Sequence, residues 1–311
     1  MKKEILINTT EYETRVAILE DKRLVELQVE RRDQDRMVGD IYKCRIKTVL
    51  PGMQAAFVDI GMEKAAYLHA SDIGKIQASR FDADDGDEEE APVEIIRKRR
   101  REGIEKVLKA GQEILVQVIK EPISTKGPRV ASEISIPGRY LVLVPGDDHV
   151  RVSKRITNWS ERRRLRKLAT PCRPEGFGLI VRTEAEGADE KAFRDDIKRL
   201  QKIWTRLQKK AETLKAPALI HKESEVVVRM IRDILTDDTE QVLVDNREDY
   251  KKVINFARQV VPHLKNRVKL YRGNAPLFDM YNLEPEIDKM LNRKVWIKKG
   301  AYLIIDQTEA M

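Results

Sequence analysis

The chain has 311 residues and a net charge of +8, with 60 lysines and arginines against 52 aspartates and glutamates. Hydrophobic residues at 41% allow globular cores, while charged residues at 36% and a mean hydropathy of −0.52 favour several small domains over one large one. Two cysteines, Cys44 and Cys172, exclude a disulfide-built scaffold, and neither stands in a metal-ligand spacing with the four histidines.

The basic surplus favours a polyanionic partner. No run reaches the length of a membrane span, and the opening MKKEILINTTEYETRV lacks a secretory apolar core. A cytoplasmic protein with nucleic acid as partner is therefore expected. A merely soluble basic protein has the same net charge.

Residues 1 to about 38 read as strands, with Ile5 and Ile7, then Val16 and Ile18, then Leu24, Leu27 and Val29 near alternation, and Asp21-Lys22 as a turn. The segment is too short to fold alone and needs partners further along. Five short strands with glycine-marked corners follow. They run Gly39 to Ile46, Gln54 to Gly61, Ala65 to His69, Gly111 to Lys120 and Arg129 to Ile136, the pattern of an OB-type barrel. Between the third and fourth lies a charged insertion, acidic from Asp82 to Glu90 and basic from Arg97 to Arg101. Like-charge blocks resist burial. The arginines could grip phosphate, but the adjacent acidic run competes for them and favours a solvated loop.

From Tyr140 a strand, a basic helix around Ser160 to Ala169 with Asn158 or Ser160 as N-cap, and a buried strand Gly178 to Arg182 are predicted. Phe193, Ile197, Leu200, Trp204, Leu207, Ala211 and Leu214 recur at steps of four and three, one face of a long helix. After Pro217 the reading is alternating α/β: a helix capped by Ser224, a strand at Gln241 to Val244, a helix through Phe256 and a strand at Val268 to Tyr271. This is the expected partner of the N-terminal strands. A helix from Glu284 to Leu291 and a hairpin of Val295–Ile297 with Tyr302–Ile305 close the chain; such a hairpin is marginal by itself.

Three groups of residues bear on chemistry. Phe57 and Tyr67 lie on neighbouring strands with Lys126 in the turn before the fifth; two rings and a cation suit one or two stacked bases. A strand phenylalanine is ordinarily core, so Tyr67 is the better surface candidate. Arg182 and Thr183 end a buried strand, and a guanidinium fork beside a hydroxyl suits a terminal phosphate, although an Arg-Thr pair at a strand end is usually just solvated. Asp59, Asp245 and Asp306 stand at strand ends, but no two have a spacing that would hold a divalent ion between them.

The runs IYKCRIKTVLPGMQAAFVDIGMEKAAYLHASDI, GQEILVQVIKE, GFGLIVRT and LIIDQTEAM resemble the bacterial ribonuclease E and G family, in order and over essentially the whole chain. The resemblance implies a multidomain mixed α+β and α/β fold. Its expected parts are a ribonuclease-H-like domain in two pieces, residues 1–38 and 217–281, and an OB-type RNA-binding barrel over 39–128 with the insertion at 82–102. A 5′-sensor domain over 129–216 and the beginning of a DNase-I-like domain over 282–311 complete it. It further implies an endoribonuclease cutting single-stranded RNA with magnesium, preferring a 5′-monophosphate end, in RNA processing and decay. By position, Phe57 and Tyr67 match the base pocket, Tyr67 standing where phenylalanine is commoner. Lys126 matches a lysine that contacts RNA, and Arg182 and Thr183 match the 5′-phosphate pocket lined by Gly138 and Val142.

The ribonuclease-H-like part is thought structural, which argues against Asp245 as catalytic. The family's catalytic aspartates, and the two-cysteine motif that bridges subunits through zinc, are expected beyond Met311, with Asp306 not one of them. The resemblance therefore implies a homo-oligomer, dimer or tetramer, for the full-length family, and for this chain an RNA-binding half that does not cleave alone. Two competing readings are a stand-alone, non-enzymatic OB-fold RNA-binding protein and a metal nuclease built on Asp59, Asp245 or Asp306.

Overall fold

The computed structural model describes residues 2–31, 36–74, 83–84, 103–223, 226–297 and 300–306. Its strands are β1 (Lys3–Thr9), β2 (Glu13–Glu20), β3 (Arg23–Arg31), β4 (Ile41–Leu50), β5 (Ala55–Asp59), β6 (Ala66–His69), β7 (Ala83–Asp84), β8 (Glu113–Lys120) and β9 (Arg129–Ala131). They continue as β10 (Ile136–Pro137), β11 (Leu141–Pro145), β12 (Val150–Ser153), β13 (Phe177–Val181), β14 (Ala218–His221), β15 (Thr239–Val244), β16 (Val268–Leu270), β17 (Lys294–Trp296) and β18 (Tyr302–Ile304). The helices are α1 (Ile104–Val107), α2 (Trp159–Ala169), α3 (Glu190–Thr213), α4 (Val226–Ile234), α5 (Arg247–Val260), α6 (Leu277–Met280) and α7 (Glu284–Met290). Among the described residues no helix is long and apolar enough to cross a membrane.

The chain divides into two compact units, one of residues 1–34 with 225–311 and the other of residues 35–224. In the first, a sheet of order β16-β15-β1-β2-β3 joins the N-terminal strands to the later segment, β1 running parallel to β15 and antiparallel to β2. The β2–β3 turn holds Asp21 at φ 48° and Lys22 at φ 66°. Two left-handed residues make the tight turn whose twist matches a hairpin, and aspartate tolerates that region better than most residues. Ile5, Ile7, Val16, Ile18, Val242 and Val244 pack with α4 and α5 on one face, and Leu6, Ala17 and Leu19 pack with α6 and α7 on the other. A strand buried on both faces reads as an unbroken apolar run, as Ile5 to Ile7 does. The predicted Ser224 cap lies outside the described residues.

In the second unit, β4, β5, β6, β9 and β8 close into a five-stranded, OB-like barrel through the β4–β8 pairing, and β14 adds to β4. β4 does this by changing partners along its length: Ile41 to Arg45 pair with β8, and Arg45 to Leu50 with β5. The barrel interior holds Cys44, Ile46, Val58, Leu68, Val116 and Val130. Burial pushes the Cys44 thiol up to about 12, so it is a core group and not a nucleophile. The fifth strand is shorter than the predicted span of Arg129 to Ile136. β9 stops at Ala131 because the buried Gln117 side chain replaces the ladder: it accepts from Ser135 N at 2.9 Å and donates to Ser135 O at 3.0 Å. Residues 136–137 then pair in another sheet, of order β10-β11-β13-β12-β7. The basic run 97–101 and all of the insertion 82–102 except β7 lie outside the described residues.

The long helix forms as its spacing predicts. Asp189 caps α3 by accepting from Ala192 N, and Phe193, Ile197, Leu200, Leu207 and Ala211 are buried against the second sheet. Each large apolar side chain so buried contributes roughly 1.5–3 kcal/mol. Trp204 is only partly buried, and Leu214, just past the helix, is exposed.

Candidate nucleic-acid interface

Alternation decides the barrel surface. On β5, Ala56 and Val58 are buried and Phe57 between them is not; on β6, Ala66 and Leu68 are buried and Tyr67 between them is not. Phe57 therefore lies outside the core that its residue type suggested. Phe57 and Tyr67 are register partners, with ring centroids 6.0 Å apart in an edge-to-face pair. A third ring, His69, stands two residues on along the same face, 6.2 Å from Tyr67. Its Nδ1 accepts from Ser71 N at 3.1 Å, so the ring's proton belongs on Nε2. Sequence reasoning missed His69, although the two-residue strand period was sufficient to place it beside Tyr67.

Lys126 is exposed in the turn closed by its own N–H donating to Ile123 O at 2.9 Å. The next residue fixes where that turn sits. A Cβ at Gly127 would stand 2.0 Å from the carbonyl oxygen of Ala65, so only glycine lets the turn lie against the start of β6. Tyr67 N donates to Pro128 O at 2.8 Å, and Tyr67 pairs with Arg129. The lysine loop and the Tyr67 strand are thus hydrogen-bonded neighbours. Arg129 in turn donates from Nε to the buried carboxylate of Asp72 at 2.7 Å.

The second group forms around the turn between β10 and β11. Arg182, at the end of β13, donates from Nη1 to Gly138 O at 2.7 Å and from its backbone N–H to Tyr140 O at 2.9 Å, and its Nε lies 3.4 Å from Glu184. Thr183 follows at the start of a 3₁₀ turn, partly exposed. Arg182, Thr183 and Gly138 are brought together. Val142 is adjacent in β11, with its side chain fully buried beneath the turn.

The element that holds this turn was not read from the sequence. Asp196, buried on α3, accepts from the backbone N–H groups of Tyr140 at 2.9 Å and Leu141 at 3.1 Å, and from Arg199 at 3.0 Å. Its signal was a lone carboxylate on the apolar stripe, between Phe193 and Ile197. Arg139, in the same turn, is buried; its Nε and Nη1 have no hydrogen-bond partner and its guanidinium lies 5.3 Å from the ring of Tyr140.

The strand-end carboxylates do not assemble. Asp59 accepts from Gly61 N at 3.0 Å and pairs with Lys47 at 3.2 Å, and the Gly61 bond first, then Lys47, holds its carboxyl below the usual range. Asp245 is raised by burial and is occupied by Asn8 Nδ2 at 2.6 Å and Thr9 N at 2.9 Å. Asp306 pairs with Arg293 at 2.8 Å. Among the described residues the one group of three acidic or histidine ligands is Asp147, Asp148 and His149, a run of sequence neighbours whose Asp147 is already paired with Arg151.

The fold and this surface define a mixed α+β protein built on a closed, OB-like barrel. Residues 135–311 match the model of the Ribonuclease E/G family. The whole chain is 40% identical to ribonuclease G of Salmonella typhimurium strain SL1344 and, likewise at 40%, to ribonuclease G of Escherichia coli strain K12, spanning 61% of each. It is 36% identical over 316 aligned residues to ribonuclease E of Escherichia coli strain K12, covering 28% of that protein. The chain belongs to the ribonuclease E/G family. It spans about three fifths of the length of its ribonuclease G relatives.

Proposed function

We propose that this chain is the RNA-gripping portion of an endoribonuclease that acts on single-stranded RNA and reads its 5′ end. The observation that carries the reading is the outward pair of Phe57 and Tyr67 beside the Lys126 turn, on a barrel in a chain of this family. Rings that face water on a β-barrel are poorly used as packing and well used as stacking platforms. Phe57 and Tyr67 take a base, and Lys126 takes a phosphate near it.

The 5′-phosphate is assigned to Arg182 and Thr183, with Gly138 as the backbone against which Arg182 is oriented. The Gly138 carbonyl and the Glu184 carboxylate, 3.4 Å from Arg182 Nε, together fix the guanidinium's direction, and a guanidinium fork is suited to a terminal phosphate. In the same reading the residues from 129 to 216 form the 5′-sensor domain. The sheet of β1, β2, β3, β15 and β16 is the ribonuclease-H-like domain, and residues 282–311 begin a DNase-I-like one.

Hydrolysis needs a divalent ion held by close carboxylates. Among the described residues, Asp59, Asp245 and Asp306 are each committed to other partners and do not fit a magnesium site. Cys44 and Cys172 are buried and do not suit a shared zinc. We therefore assign RNA binding to the described residues of this chain, and read magnesium-dependent cleavage, zinc, oligomer contacts and a cytoplasmic role as properties of the family.

The test is binding of single-stranded oligoribonucleotides carrying a 5′-monophosphate or a 5′-hydroxyl, across a range of salt. Binding that weakens steeply with salt, and Arg182→Ala that abolishes the preference for the monophosphate, support the reading. Salt-insensitive binding, or unchanged preference in Arg182→Ala, overturns it. Magnesium-dependent cleavage by the purified chain, lost in Asp245→Asn, favours the metal nuclease instead.

A further inference from the structure

Helix α2 carries a surface that neither the barrel nor the Arg182 turn uses. Asn158 fixes its start by accepting from Ser160 N at 3.0 Å and Glu161 N at 3.3 Å, and this sets Trp159 on the first turn with 64% of its surface exposed. Water-exposed tryptophan is costly where it has no partner, since it is the largest apolar side chain. Arg163 lies over its ring, 5.4 Å from the centroid, and Lys167 follows, so Trp159, Arg163 and Lys167 stand at successive steps of four. That spacing puts them on one stripe of the helix, about 12 Å long. The helix has five cations, Arg162, Arg163, Arg164, Arg166 and Lys167, against the single carboxylate of Glu161.

Glu161 is itself employed as a clip. It accepts from Arg164 at 2.7 Å and from Gly187 N at 2.9 Å, and Arg164 Nη1 donates to Ala188 O at 3.0 Å. Gly187 and Ala188 belong to the loop that continues from Thr183. The clip therefore holds α2 against the segment that carries the Arg182–Thr183 pair and removes the helix's one negative charge from its free face.

We infer that the Trp159, Arg163 and Lys167 stripe of α2 is a second docking strip for single-stranded RNA, with a base on the open face of the Trp159 ring and phosphates on Arg163 and Lys167. The inference rests on the reading of Arg182 and Thr183 as the 5′-end pocket, because the Glu161 and Arg164 clip fastens α2 to the loop that follows Thr183. RNA is the occupant that the chemistry selects, because an indole backed by a guanidinium and continued by a second cation stacks and neutralises at once.

The experiment measures affinity of the full chain for a single-stranded oligoribonucleotide with either 5′ end, in wild type, Trp159→Ala, Trp159→Phe and the Arg163→Ala, Lys167→Ala double variant. Trp159→Ala is expected to weaken binding about tenfold for both ends while the monophosphate preference stays, and Trp159→Phe to retain most of the affinity. The double variant should make the log–log salt dependence shallower by about 1.4, roughly 0.7 per lost phosphate contact. Wild-type affinity in Trp159→Ala overturns the strip. So does a change of oligomeric state in that variant with RNA binding intact, which would make the face a protein contact. Wild-type binding without 5′ preference overturns the pocket assignment and leaves the strip to be judged on the Trp159 affinities; no RNA binding by wild type overturns both.

Discussion

Arg182 Nη1 donates to the carbonyl oxygen of Gly138 at 2.7 Å, bridging two positions 44 residues apart. The bond orients a guanidinium that also pairs with Glu184 through Nε at 3.4 Å, and it depends on the turn at Gly138 being held from behind by Asp196.

That dependence makes Gly138→Ala a sharp test. A Cβ there would stand 2.5 Å from Asp196 Oδ2, and Asp196 cannot yield because it is buried and already hydrogen-bonded to Tyr140 N and Leu141 N. The variant is expected to lose about 1–3 kcal/mol of stability, the ordinary cost of overpacking. Chemical denaturation measures that loss, and a 5′-end preference reduced alongside it would tie Gly138 to Arg182.

Asp196→Asn probes the same support from the helix side. The amide keeps the shape but has one acceptor oxygen where the carboxylate has two, and it brings N–H donors to face backbone N–H groups. Leaving a buried donor unpaired costs roughly 1–3 kcal/mol. Faster hydrogen exchange at Tyr140 and Leu141 than at Val58 in the barrel would locate the damage; uniform exchange would show that Asp196 is not the local clamp.

Phe57→Ala and Tyr67→Ala should separate binding from folding. Both rings lie outside the barrel core, so cooperative unfolding is expected to persist with little change in midpoint. Each substitution removes stacking worth about 1–3 kcal/mol per base, read as a loss of RNA affinity by anisotropy. Because the rings touch each other, the double variant should lose less than the sum of the singles.

His221 gives the chain a pH dependence of defined sign. Burial, aided by nearby Lys210, lowers its pKa from 6.5. The folded state therefore binds fewer protons than the unfolded state just below that value. Stability is expected to be full at higher pH and to fall as pH drops below 6.5. Denaturation midpoints of His221→Gln should be flatter over that interval than those of wild type.

The local periods determined a great deal unaided. Steps of four and three from Phe193 to Ala211 produced α3, alternation from Gly111 to Lys120 produced β8, and Asp21-Lys22 marked the β2–β3 hairpin. The five-strand barrel followed from glycine corners. Family resemblance, and not spacing, singled out Phe57, Tyr67, Arg182 and Thr183 as candidates for RNA contact.

Tertiary structure decided the rest, because each remaining fact joins residues distant in sequence. Pairing of β5 with β6 turned Phe57 outward, a choice that its residue type argued against. The side chain of Gln117 ended β9 five residues before the predicted limit of Ile136 by taking over the hydrogen bonds of Ser135. A carboxylate on α3 anchored a turn more than fifty residues before it. Periodicity reports which face of one element is apolar; it has no access to which other element meets that face, since hydrogen bonds and close approach are properties of the pair.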